Sequence, residues 1–163
     1  FLGEVDPARV ATVAAGLVVP GRLERIATSP PTYVDAAHNP DGAAALAEAL
    51  PSLADGRPVV ACLAMLADKD AAAMIAALAP VLRAAVCTEI PASALAGHGR
   101  PGARSRPARE LADLCQAQGL EAIAEPDLGP ALRRATELAC GTFAGVLVIT
   151  GSHYLIGPAR AAF

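Results

Sequence analysis

The sequence predicts an α/β fold built on a mostly parallel sheet, and three observations lead there. Short apolar runs of strand length alternate with amphipathic stretches of helix length along most of the 163 residues. The runs, such as Val59–Leu63 and Val146–Ile149, are continuous and lack polar alternation, as expected when helices cover both faces of a sheet. Glycine and proline fall between the two kinds of segment, where the chain must turn.

Taken in order, a first helix is read over Asp6 to Gly16. Pro20-Gly21 then turns the chain into a strand from Arg22 to Ala27. Ser29-Pro30-Pro31 turns it again into Thr32–Asp35, so these strands form a hairpin or lie side by side. A helix from Pro40 to Leu53 carries Ala43, Leu46, Ala47 and Leu50 on one face, and Gly56-Arg57-Pro58 stops it before the strand Val59–Leu63. The helix Asp70–Leu82, with the stripe Met74, Ala77, Leu78 and Val81, leads to the strand Ala85–Glu89. A loop from Pro91 to Arg106 precedes the helix Pro107–Gln118, which Gly119 ends in the position that favours a left-handed residue. The strand Ala122–Glu125, the helix Leu128–Cys140, the strand Val146–Thr150 and the helix Tyr154–Ala162 complete the chain. The result is a Rossmann-like, three-layer domain with a sheet of about six strands and helices on both faces. Residues 1–18 read as a linker and helix leading into a domain over 19–163. The chain opens on Phe1 and enters a helix at once, as expected of a piece of a longer protein.

Composition narrows the function. Hydrophobic residues make up 54%, and the mean hydropathy is +0.43. Much of this is alanine, and no apolar run approaches the roughly 18–20 residues of a membrane span. No charged segment followed by an apolar one marks a leader. The net charge is −3 and aromatics are 3%. With no basic run interleaved with aromatics, nucleic acid is not an expected partner. Arg100, Arg104, Arg106 and Arg109 lie in a Gly/Pro-rich stretch and read as a solvated loop and helix start in preference to an anion site. Cys62, Cys87, Cys115 and Cys140 form no CxxC pair and read as buried thiols of a reducing compartment, the cytoplasm.

Ligands of open α/β sheets bind outside the carboxyl ends of the strands, and three polar segments fall there. Asp35-Ala36-Ala37-His38-Asn39-Pro40 follows one strand and opens a helix. Asn39 and Pro40 suit the N-cap and first helical position. Asp35 and His38 are not needed for that. A carboxylate there can accept from ribose hydroxyls, and an imidazole can donate to a carboxylate or phosphate. Asp68-Lys69-Asp70 follows the strand Val59–Leu63. Asp68 reads as the N-cap of the next helix, and Lys69 as a solvated residue or a cation for phosphate or an acidic substrate. Thr150-Gly151-Ser152-His153-Tyr154 follows the last strand. Gly151 permits close backbone approach. Ser152 reads as a cap or as part of an anion site, and His153 as a surface helix residue. Pro20-Gly21 delivers Arg22, which is either surface charge or a planar clamp for a base or phosphate.

No GxGxxG, GxxxxGK[ST] or GxSxG motif occurs, and no Cys/His cluster has metal spacing. Nothing in the chain makes a complete ATPase or a nucleophilic triad.

Together these segments resemble those of the bacterial dihydrofolate/folylpolyglutamate synthases of the Mur ligase superfamily. Pro20-Gly21-Arg22-Leu23-Glu24 is similar to their PGR segment, and Asp35–Pro40 to their D(G/A)AHNP segment. Asp68-Lys69-Asp70 is similar to their DKD segment, and Thr150–Leu155 to their TGSxYL segment. The matches keep the family's order and span nearly the whole chain. The resemblance implies the C-terminal domain of a ligase whose P-loop ATPase domain precedes it. In such enzymes a substrate carboxylate attacks the γ-phosphate of ATP, and L-glutamate then displaces phosphate from the acyl phosphate. By the same resemblance, Arg22 and Asp35 contact ATP, with Asp35 near the ribose. His38 and Ser152 position glutamate or the phosphate end, with Lys69 a further candidate, while Asn39, Pro40, Asp68 and Gly151 shape the site. ATP, Mg²⁺ held mostly by the preceding domain, and a monovalent cation are the implied cofactors. L-glutamate, dihydropteroate or reduced folate, and the chain's own ATPase domain are the implied partners of a monomer. Ala36 stands where the family often has Gly, His153 where an apolar residue is common, and the Gly97–Arg106 loop is longer than usual. The competing readings are another Mur-type ligase, for peptidoglycan or cyanophycin, and a non-catalytic nucleotide-binding module. The first would carry Tyr where Ala36 stands; the second would have no P-loop upstream.

Overall fold

A computed structural model describes residues 6–17, 19–96, 102–142 and 144–163. Six strands form one sheet in the order β1-β2-β6-β3-β4-β5. They are β1 (Glu24–Thr28), β2 (Pro31–Val34), β3 (Val59–Leu63), β4 (Ala84–Cys87), β5 (Glu121–Ala124) and β6 (Val146–Thr150). β1 and β2 form an antiparallel hairpin with a bulge between Arg25 and Ala27. All other neighbours run parallel. The helices are α1 (Pro7–Ala15), α2 (Pro40–Ala54), α3 (Ala71–Leu78), α4 (Ala92–Leu95), α5 (Ala108–Ala117), α6 (Leu128–Glu137) and α7 (Ile156–Ala162).

The continuous apolar strands divide their side chains between two cores. Val59, Ala61 and Leu63 of β3, with Val146 and Val148 of β6, pack against Leu46 and Leu50 of α2, Met74 and Leu78 of α3, and Leu111 of α5. Val60 and Cys62, with Leu147 and Ile149, face Leu132 and Ala135 of α6, Leu155, and Ala159 of α7. The period-two alternation of a strand therefore feeds both faces, and a polar residue on either would be buried without a partner. No helix among the described residues is long and apolar enough to cross a membrane.

The structure departs from the sequence reading where local geometry intervenes. β1 begins at Glu24 because Gly21 (φ 72°) and Leu23 (φ 43°) are left-handed, which keeps Arg22 in the turn. The Lys69 N–H closes a turn onto the Leu66 carbonyl at 3.1 Å. With that turn in place α3 starts at Ala71 and Asp70, not Asp68, is the cap: its Oδ1 accepts from the Ala73 N–H at 3.0 Å. Pro80 lacks a backbone N–H, so α3 gives way to a 3₁₀ turn over Ala79–Val81. α6 ends at Glu137 in a π-helical turn over Leu138–Thr142. The Pro91–Arg106 loop contains α4, and Arg100 lies outside the described residues. Cys62, Cys87 and Cys115 are buried, whereas Cys140 is exposed in the π-helical turn.

Candidate functional site

β2, β6 and β3 are neighbours, so the loops that leave their carboxyl ends meet at one stretch of rim. α2 carries the chain from β2 past β6 to β3 on one face, and α6 returns it from β5 to β6 on the other. Such a reversal opens a crevice at the strand ends.

Asp35 follows β2 directly and is 6% exposed. Its Oδ1 accepts from the Ala37 N–H at 2.8 Å and its Oδ2 from the Leu23 N–H at 3.0 Å. A carboxylate has about four acceptor positions, so both oxygens retain capacity for a ligand. The Ala36 N–H donates to the Gly21 carbonyl at 2.8 Å, which ties the Pro20–Arg22 turn to this segment. Gly21 is required there: besides its left-handed backbone, a β-carbon would collide with the Ile156 side chain. Arg22 is exposed, and its guanidinium has no partner among the described residues.

The His38 Nδ1 lies 2.8 Å from the Ala36 carbonyl. A carbonyl only accepts, so Nδ1 carries the proton and Nε2 is left for another partner. The next residue caps α2. The Asn39 Oδ1 accepts from the Gly42 N–H at 2.7 Å, and Pro40 takes the first helical position.

Across the crevice, Gly151 has φ 99°, and a β-carbon would lie 2.5 Å from the Ala64 carbonyl oxygen. The exits of β6 and β3 thus touch backbone to backbone. Ser152 is 2% exposed, and its Oγ accepts from the Tyr154 N–H at 3.3 Å. Thr150 beside it is fully buried, its Oγ1 unpaired among the described residues. Lys69 is half-buried in its turn, with no side-chain partner among the described residues. Asp68 is exposed in the same turn.

The structure adds His153. Its ring is exposed, yet it sits 5.9 Å from the His38 ring at 81°, and 4.0 Å from the Tyr154 ring. As the residue after Ser152 it reads as surface; only the meeting of the β2 and β6 exits brings it to His38.

Among the described residues no three His, Cys, Asp or Glu side chains converge to hold a metal ion. Cys62 and Cys87 lie within strands and Cys115 within α5. Burial pushes the Cys62 thiol up to about 12. Cys87 lies 3.8 Å from Cys115, and that hydrogen bond, with burial, raises its thiol well above the ordinary value. The rim thus brings together a buried carboxylate, a buried hydroxyl and two facing imidazole rings from segments far apart in sequence.

A family model, Mur ligase, glutamate ligase domain, matches residues 21–153. The dihydrofolate synthase/folylpolyglutamate synthase of Mycobacterium tuberculosis is 38% identical over 173 residues, covering 98% of this chain and 34% of that protein. A crystal structure of the M. tuberculosis folylpolyglutamate synthase complexed with ADP and AMPPCP superposes with a TM-score of 0.74 at 34% identity, covering 97% of this chain and 35% of that one. The bifunctional folylpolyglutamate synthase/dihydrofolate synthase of Yersinia pestis, complexed with AMPPNP and a Mn ion, gives a TM-score of 0.71 at 26% identity over 89% of this chain and 31% of that one. The chain spans about a third of the length of these relatives.

Proposed function

The chain belongs to the Mur ligase family through its glutamate ligase domain, and from that premise we propose that it is the C-terminal part of an ATP-dependent ligase adding L-glutamate to dihydropteroate, to reduced folates, or to both. One observation carries the reading. The Pro20–Arg22 turn and the exits of β2, β3 and β6, far apart in sequence, meet at a single rim. Relatives complexed with ADP, AMPPCP or AMPPNP support a nucleotide as one ligand.

In this reading the substrate carboxylate attacks the γ-phosphorus of ATP, ADP leaves, and the glutamate amine displaces phosphate to give the amide. The P-loop and most Mg²⁺ ligands belong to the preceding domain. Arg22 and Asp35 meet the nucleotide, Asp35 through acceptor positions its two backbone bonds leave open. His38, whose Nε2 is not used by the Ala36 carbonyl, and Ser152 position glutamate or the phosphate end. Lys69 supplies a further cation. Asn39, Pro40, Asp68 and Gly151 set the shape of the rim. All act by positioning and charge neutralisation. The full protein is expected to be a cytoplasmic monomer.

The test is ATP hydrolysis by the full-length gene product, which should require both glutamate and a pteroate or folate acceptor. Asp35→Ala should lower kcat/KM at least about tenfold, ~1.4 kcal/mol of transition-state stabilisation. Unchanged turnover would remove Asp35 from the site. ATP binding with no hydrolysis dependent on either substrate would sink the ligase reading in favour of a binding module.

A further inference from the structure

The loop before α5 is sewn to the exit of β3. The Arg106 N–H donates to the Met65 carbonyl at 2.8 Å, the Ala67 N–H donates to the Arg104 carbonyl at 2.9 Å, and Ser105 bridges to Leu66 in antiparallel fashion. The Ser105 Oγ also accepts from the Ile90 N–H beyond β4, at 2.8 Å. From this anchored backbone the Arg106 guanidinium turns back onto the same exit. Its Nη2 donates to the carbonyls of Ala67 at 2.8 Å and Lys69 at 3.2 Å, while its Nη1 donates to the Glu110 carboxylate at 3.1 Å.

An arginine of a solvated loop would spread its fork into water. The Arg106 side chain is 23% exposed, with its Nε buried. Its rigid fork spans two carbonyls of one turn and a carboxylate of the next helix, a pattern no single ammonium can reproduce. The turn it grips carries Lys69, whose side chain has no partner among the described residues. What Arg106 fixes is the backbone from which that side chain leaves.

We propose that Arg106 is a positioning residue for ligation: by holding the Ala67 and Lys69 carbonyls it presents the Lys69 ammonium at the rim to an anionic group of the reaction, phosphate or carboxylate. The proposal rests on the ligase reading above.

The experiment compares Arg106→Ala, Arg106→Lys, Lys69→Ala and the Arg106→Ala/Lys69→Ala double variant in the full-length enzyme. Arg109→Ala, an exposed residue paired with Asp113, serves as the control with unchanged turnover. Arg106→Ala and Lys69→Ala should each lower kcat/KM at least about fivefold, with the double variant no worse than the poorer single one. Arg106→Lys should recover part of the loss. A KM rise confined to ATP identifies the anion as phosphate, and one confined to glutamate identifies it as carboxylate. Losses that multiply in the double variant, or a Lys69→Ala enzyme with full activity, would overturn the proposal. So would an Arg106→Ala enzyme that melts earlier but turns over normally. If Arg106→Ala fails to fold, Arg106→Lys carries the same comparison. Hydrogen exchange at the Ala67, Lys69 and Ala71 amides provides a readout apart from activity. It should quicken in the Arg106 variants, and unchanged exchange would refute the pinning of the turn even if the wild-type enzyme showed no ligase activity.

Discussion

Gly151 shows how tightly single residues constrain the rim. Its backbone is left-handed, and a β-carbon on it would lie 2.5 Å from the Ala64 carbonyl oxygen, too close to fit. Gly151→Ala should destabilise the chain by about 2 kcal/mol or more, read as a lower midpoint in urea denaturation. An unchanged midpoint would show that the exits of β3 and β6 can part. Asp35 carries a different constraint. Its carboxylate joins the turn before β1 to the segment after β2 through two backbone N–H groups, so it organises the crevice before any ligand arrives. The sequence marks Gly151 as a place of close backbone approach, but the backbone it meets, and the Leu23 N–H that Asp35 takes, come from non-local contacts.

At the scale of elements, much was legible in the sequence. Continuous apolar strands such as Val59–Leu63 announce a sheet covered on both faces, and Asn39-Pro40 announces the start of α2. The cap makes a test: Asn39→Ala leaves the α2 amide of Gly42 without its acceptor and should cost about 1 kcal/mol, measured by thermal or chemical unfolding. A cost near zero would mean that solvent replaces the cap. The start of α3 was not legible, because Asp68 and Asp70 are both good caps and periodicity does not choose between them. A hydrogen-bonded turn chooses Asp70. The same limit hid Arg106. In sequence it is one of four arginines of a loop and helix start, and only the pairing of residues 65–67 with 104–106 turns it toward Lys69. His153 likewise acquires its neighbour from sheet order, not from its own segment.

Across the whole molecule, the entry and the last helix are joined. The Arg160 Nε donates to the Glu24 Oε1 at 3.0 Å, although 136 residues separate them. Arg160 first, and then the Gly21 N–H, hold the Glu24 carboxyl below its ordinary value of 4.5. A lowered carboxyl stabilises the fold above its unfolded value, and that gain fades as pH falls through the lowered one. Glu24→Gln should therefore melt earlier than wild type near neutral pH, with the gap closing below about pH 4.5. Parallel melting curves at every pH would show that the pair contributes nothing.

The turn at Gly21 gives this joint a mechanical meaning. It touches Ile156 of the last helix on one side and receives the Ala36 N–H on the other. The turn before β1, the last helix and one wall of the crevice thus coincide at a single corner. A change at the last helix would therefore reach the Asp35 wall of the crevice through Gly21, without passing through the sheet.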